Sequence, residues 1–446
     1  MRGLTTTILL VVALAGLGGY IYFVEMKKPT VSEDAKAKAF TVTAADIEEL
    51  RIKVADGDNT RATWSNEMWA LVEPIAAEAD GSELTNMAST LAALDVQRVV
   101  DESGSNLEQY GLNPPRIEVA FRAKGQTEPV WLHIGDKTPT GGDVYAKRAG
   151  ETQVFLVSSI VEDTFRRSAF DLRDKTILNF DRDKVDGLEI SRAGVTMQFA
   201  RKGADWAIVK PAAMRADFAA LEGLITSLSA TQMQKFVSAE ATPAELRAYG
   251  LDRPSATASI LMGSARATLV LGRTDNAETY ARDASRPMIL MVAPTIVADL
   301  AKPLSDYRRR ELFDMRSFST SRVDLKRGAD TLVLEKTSRD GKDVWRGVWG
   351  GADGKDVDTA KVEDLLTKLS NLRAATFTDR PDPSVRTPAL SVTARFGENK
   401  DEVRMETVSL ARAGNVVVAS RPDEPGGVNI EGTSLDEVMT ALDSLR

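Results

Sequence analysis

The chain has no cysteine and only one histidine, His133, among its 446 residues. The first absence excludes disulfides, thiolate nucleophiles and cysteine-ligated zinc together. The second makes any Ser/His/Asp triad or histidine-ligated metal depend on one residue. A basic surface is missing as well: the net charge of -8 and pI near 5.2 argue against a nucleic-acid partner, whose phosphates demand positive charge. Lacking thiols, the protein is indifferent to redox poise, so composition leaves its compartment open. Hydrophobic content of 43% and charged content of 27% are those of a folded globular chain. Its length leads us to expect two or three domains.

The long apolar run lies at the start. Leu4–Val24 carries no charge, and a helix of that length, rising 1.5 Å per residue, crosses the roughly 30 Å hydrocarbon layer. We therefore expect a single-pass anchor over residues 1–24, with the membrane as partner through residues 4–24. Arg2 precedes the run; Tyr20, Tyr22, Phe23, Lys27 and Lys28 close it. The competing reading is a cleaved signal peptide with Ala13-Leu14-Ala15 as the cleavage site, but apolar residues continue well beyond it. Residues 25–42, polar and without a buried stripe at their start, read as a tether.

Internal repetition dominates the remainder of the chain. Trp69-Ala-Leu-Val72-Glu-Pro74 recurs as Trp206-Ala-Ile-Val209-Lys-Pro211, and Trp345-Arg-Gly-Val348 is a weaker third copy. Tyr110-Gly111-Leu112 recurs as Tyr249-Gly250-Leu251, Ile134-Gly135 as Leu271-Gly272, and Val144-Tyr145-Ala146 as Thr279-Tyr280-Ala281. Asp171-Leu-Arg173 aligns with Asp306-Tyr-Arg308 at the end of each of the first two copies. These landmarks place repeat units at 43–180, 181–315 and 316–446, the third divergent because Thr387-Pro388 stands where the Tyr-Gly-Leu turn belongs.

Within a unit, Arg51–Val54 and Ile117–Arg122 alternate apolar and polar residues as half-buried strands do. Leu84, Met87, Leu91 and Leu94 form one helical stripe. Phe218, Leu221, Leu224, Ile225 and Leu228 form the second, and Val362, Leu365, Leu366, Leu369 and Leu372 the third. Asp80, Asp217 and Asp358 stand where helix N-caps belong. The expected fold class is α+β: a transmembrane helix, then tandem units of mostly antiparallel sheet with one main amphipathic helix each. The expected order is about three strands, the helix, the Tyr-Gly-Leu turn, about four strands and a short closing helix.

An amino-terminal apolar helix followed by units bearing Trp-x-x-Val-x-Pro, Tyr-Gly-Leu-x-x-Pro and Leu/Ile-Gly resembles the bacterial domain-of-unknown-function 4340 family. The resemblance covers about Thr43 to Met315 and, more weakly, the remainder. It implies an inner-membrane protein whose bulk faces the periplasm or exterior, associated with ABC-type export systems, including those of gliding motility. It supplies no catalytic residue to carry over.

Candidate chemistry is sparse. His133 falls on the strand face opposite Leu132 and Ile134, which suggests a structural role. Gly350-Gly351-Ala-Asp-Gly354-Lys355 lacks phosphate-loop spacing and reads as a hairpin turn, as does Asp56-Gly57-Asp58-Asn59. Arg166-Arg167 and Arg308-Arg309-Arg310 could meet lipid head groups, but their place at unit boundaries beside Asp171 and Asp306 favours ion pairs that brace the junction. Trp69, Trp206 and Trp345 read as core anchors. We expect no catalytic, cofactor-binding or metal residue and no cofactor. The expected function is that of a noncatalytic accessory or binding protein of a bacterial envelope system, with a protein partner such as ABC transporter subunits. The alternatives are an envelope hydrolase acting on cell-wall polymer, and a solute-binding receptor marked by a polar cleft between units.

Overall fold

The alternating stretches form β1 (Ile47–Val54) and β6 (Ile117–Ala123), which pair antiparallel at the centre of a nine-stranded sheet. The computed structural model describes residues 37–339, 341–397, 403–430 and 432–446. The other strands of the first sheet are β2 (Asn59–Ser65), β3 (Met68–Glu73), β4 (Ala77–Glu78), β5 (Arg98–Asp101), β7 (Val130–Lys137), β8 (Asp143–Arg148) and β9 (Val154–Ser158). Their spatial order is β4-β3-β2-β1-β6-β7-β8-β9-β5. Two four-stranded meanders thus meet at β1 and β6. Because β4 and β5 lie at opposite edges, helix α1 (Gly81–Ala93) between them must traverse one face of the sheet.

The second sheet, from Gly187–Arg192 to Ile289–Val292, and the third, from Thr320–Arg327 to Gly427–Ile430, repeat this order strand for strand. The α+β repeat architecture is therefore present in all three copies. Each unit has two more strands than the sequence suggests: one before the main helix and one after it. The one before the helix has only two or three residues in each unit, and a strand such as Ala77–Glu78 offers too few for alternation to register. The one after it varies from three residues at Thr376–Thr378 to six at Met233–Ser238.

The helix stripes fall as the spacing demands. Leu84, Met87 and Leu91 are buried beneath the first sheet, and Val362, Leu365, Leu366 and Leu369 beneath the third. Phe218 is the exception: it opens its helix (Phe218–Ala230) and stays exposed, while Leu221, Leu224, Ile225 and Leu228 take the core positions. All three aspartates are N-caps. Asp80 accepts from the backbone N–H of Ser82 and Glu83, Asp217 from that of Ala220 and Asp358 from that of Ala360.

Each unit also has a short lead-in that precedes the sequence-derived boundary. Lys38 bridges Asp95, Thr176 bridges Gln232 and Glu311 bridges Arg373, so the incoming chain runs beside the segment that leaves the main helix. Ala39 N–H donates to Leu94 at 2.7 Å, and Leu312 N–H to Leu372 at 2.9 Å. Residues 38–40 of the expected tether thus start the first unit instead. The physical reason is that Ala39 and Phe40 are buried, Phe40 edge-on to Phe121 at 5.1 Å between ring centres.

The anchor expected over residues 1–24, and the tether up to residue 36, lie outside the described residues. Among the described residues no helix is long and apolar enough to cross a membrane. The chain divides between Lys175 and Thr176 into two compact units, the first holding the first sheet and the second holding the other two.

Candidate functional site

The repeated motifs converge on a structural knot in each of the first two sheets. Gly111 and Gly250 adopt φ of 64° and 71°, the left-handed region that favours glycine. This turns the preceding tyrosine carbonyl onto the next motif: a Cβ on Gly135 would strike the Tyr110 oxygen, and one on Gly272 the Tyr249 oxygen. Arg273 N–H donates to that Tyr249 oxygen at 2.7 Å. The two tyrosine motifs then meet, Tyr110 against Tyr145 at 4.9 Å and Tyr249 against Tyr280 at 4.3 Å between ring centres. In the third sheet Leu410, opposite Leu390, matches Ile134 opposite Ile117 and Leu271 opposite Ala256. The next residue along is Ala411, and no Tyr-Gly turn presses on it.

Other sequence candidates settle into folding roles. Trp69, Trp206 and Trp345 are all buried, and Trp206 donates its indole N–H to Glu222 at 2.9 Å. His133 sits between Glu118 and Lys147 on neighbouring strands, and burial holds its pKa below the usual histidine value against the opposing pull of Glu118. Gly350 and Gly351 have positive φ in the turn between the strands Lys342–Trp349 and Lys355–Val357. Asp56–Asp58 turns between β1 and β2. Arg166 pairs with Glu162 at 3.8 Å and Arg167 with Glu83 at 4.0 Å, while Asp171 instead accepts from the Ser168 amide and hydroxyl. Among the described residues no group of three or more histidine, aspartate or glutamate side chains could hold a metal.

The arginine run at 308–310 behaves differently, because it enters a charge network joining the second and third sheets. Glu424, in the loop before the strand Gly427–Ile430, accepts from Arg215 Nε at 2.5 Å and from Arg308 Nη2 at 3.4 Å. Asp314 takes Arg215 Nη1 at 2.9 Å and Arg309 Nη1 at 3.2 Å. Glu406 lies beneath, accepting from the amides of Asp314 and Met315 at 2.9 Å and from Arg421 Nη1 at 2.8 Å. Arg421 also bonds the Leu312 carbonyl at 2.7 Å and Asp423 at 2.9 Å. Burial opposes charge on Arg421, but Asp423 and Glu406 more than offset it and raise its pKa. For Arg308 burial prevails: its pKa is lowered despite Glu424.

The junction is braced by ion pairs, as the sequence suggests, but the partners are Glu424, Asp314 and Glu311 in place of Asp306. Sequence reasoning missed Glu406, Arg421 and Glu424. Glu406 has no charged counterpart in the other units, whereas Arg421 and Glu424 align with Arg148 and Glu151 of the first, where Arg148 likewise bonds the lead-in carbonyl of Ala39 at 2.7 Å. Arg215 and Glu424 are 209 residues apart. Beside the network an open groove of about 420 Å³ is lined by Lys202, Asp205 and Trp206 of the second sheet and by Arg404, Asp423 and Glu424 of the third.

Three copies of one antiparallel sheet, each bearing the same lead-in and capped helix, define a tandem-repeat α+β protein. The chain belongs to the family described as "Domain of unknown function (DUF4340)", whose profile matches residues 69–208 and again 206–389. No curated protein matches it. Among solved structures, the DNA polymerase III subunit beta of Pseudomonas aeruginosa aligns over 87% of this chain and 92% of its own, with 6% identity and a TM-score of 0.16. The beta clamp of H. pylori aligns over 85% and 95%, with 8% identity and a TM-score of 0.15. At those TM-scores the likeness carries no argument about fold or function.

Proposed function

We propose that this chain is a noncatalytic accessory protein of a bacterial envelope system, anchored through residues 4–24 and presenting its repeats outside the cytoplasm to a protein partner, with ABC-type export subunits the leading candidates. One observation carries the reading: the same nine-stranded scaffold is built three times, and the residues that recur between copies serve folding. Repeated scaffolds of this kind offer extended surfaces suited to partner binding. The test is in-cell crosslinking of the tagged full-length chain, followed by mass spectrometry of the membrane fraction. Transporter subunits crosslinked at defined repeat lysines are the expected result, and recovery of the chain alone counts against it.

The groove favours a second reading, a solute-binding receptor, because polar side chains from two sheets line it. A small molecule that copurifies and is lost on R404Q substitution, at an exposed residue of the groove, would shift the balance to this function.

A further inference from the structure

Five arginines, Arg215, Arg308, Arg309, Arg310 and Arg421, line a crevice whose walls carry two carboxylates, Glu311 and Glu424. Pairing accounts for three of the five. Arg215 is held by Glu424 and Asp314, Arg309 by Asp314 and Glu311, and Arg421 by Glu406 and Asp423. Arg308 is left short. It is 8% exposed, its guanidinium lies 4.1 Å from the centre of the Phe377 ring, its one carboxylate contact among the described residues is the long one to Glu424, and its Nε is buried with no acceptor there. Arg310 is exposed at the rim and makes no ion pair among the described residues.

A buried guanidinium N–H without an acceptor is costly, and native structures rarely leave one unless something else supplies the acceptor. The opposite wall is closely packed. Gly426 has φ of 82°, and a Cβ there would strike the Thr378 carbonyl, so the loop carrying Glu424 is seated against the strand Thr376–Thr378. Guanidinium forks, an aromatic floor and a glycine wall are the chemistry that grips an oxyanion bidentately.

We propose that this crevice is a binding site for a phosphate group, with Arg308 and Arg310 as its donors and Glu424 as the internal carboxylate that shares the pocket with it. The proposal is independent of the anchor and of the partner reading above. Free phosphate esters and phospholipid head groups present the same chemistry, and the test separates them.

The full-length chain, in non-ionic detergent at ionic strength held constant with sodium chloride, would be titrated calorimetrically with inorganic phosphate. We expect one saturable site whose affinity falls about tenfold in R310Q, the loss of one charge-assisted contact, and disappears in R308Q. Because R308Q alters a buried group and could perturb folding, the exposed R310Q carries the decision, with circular dichroism confirming that both variants fold. Absence of saturable heat in the wild type, or unchanged affinity in R310Q, overturns the proposal. A parallel titration with monomeric dihexanoyl phosphatidylglycerol assigns the source. Tighter binding than phosphate supports a lipid head group, and weaker binding supports a free phosphate.

Discussion

Gly135 and Gly272 stand where the tyrosine carbonyl of the previous motif leaves no room for a methyl group. G272A should therefore lower stability by about 1–3 kcal/mol, the usual cost of overpacking, as read from a urea midpoint. A411G, at the equivalent position of the third sheet, should cost only about 0.5–1 kcal/mol, the entropic penalty of glycine in a strand. Equal effects would mean that the turn does not press on Gly272. Glu406 makes the complementary case: with Arg421 it forms a pair whose side chains are 2% and 7% exposed. E406A removes one of that arginine's carboxylate partners and leaves the amides of Asp314 and Met315 without their acceptor. It should destabilise by about 3–5 kcal/mol, whereas an exposed pair such as Arg339–Asp356 should contribute under about 1 kcal/mol. The glycines were legible because the sequence writes them twice in register. The ion pairs were not, since Glu406 has no charged counterpart in the other copies and Arg215 reaches Glu424 across 209 residues.

At the scale of elements, the main helices were the most readable parts, because cap and stripe agree. Removing one cap by D217A should cost about 1 kcal/mol, measured by thermal denaturation. The shorter helix Pro294–Ala301 depends on charge. Asp299 accepts from Ser227 of the main helix and from Lys302, each at 2.7 Å, and Tyr307 O–H donates to its carbonyl at 3.0 Å. Burial pushes the Asp299 pKa up, but the hydrogen bonds from Lys302 and Ser227 and the Lys302 charge outweigh it and hold the carboxyl below the usual aspartate value. A depressed folded pKa contributes stability above the unfolded value and loses it as pH falls through the folded one. The tie between the two helices should therefore hold at neutral pH and weaken below about pH 4, a dependence that D299N should flatten in hydrogen-exchange measurements on Phe218–Ala230. The edge strands before the main helices escaped the sequence because two or three residues cannot establish a period. Phe218 misled it because the helix's first turn points that residue away from the sheet.

For the whole molecule, the informative boundary is the one the lead-ins define. Removing residues 1–36 should give a soluble, folded protein, since the uncharged apolar run goes and the first unit stays whole. Carrying the deletion through Phe40 should cost about 3 kcal/mol more, because it empties a buried aromatic site. Equal melting temperatures for the two truncations would refute this. In the second compact unit, the Arg215–Glu424 pair links two sheets, with side chains 18% and 10% exposed. E424A should accordingly split a single calorimetric transition of that unit into two.

The edges of these sheets carry a further consequence. Three homologous sheets in one polypeptide are, during synthesis, three competing templates, and a strand released from one copy could dock on the next. Each sheet ends on one side in a strand of only two or three residues: Ala77–Glu78, Met214–Arg215 and Lys355–Val357. An edge that short offers a stray strand almost nothing to zip against. The same economy that hides these strands from a sequence reader leaves a crossing strand little to pair with on that side of each sheet.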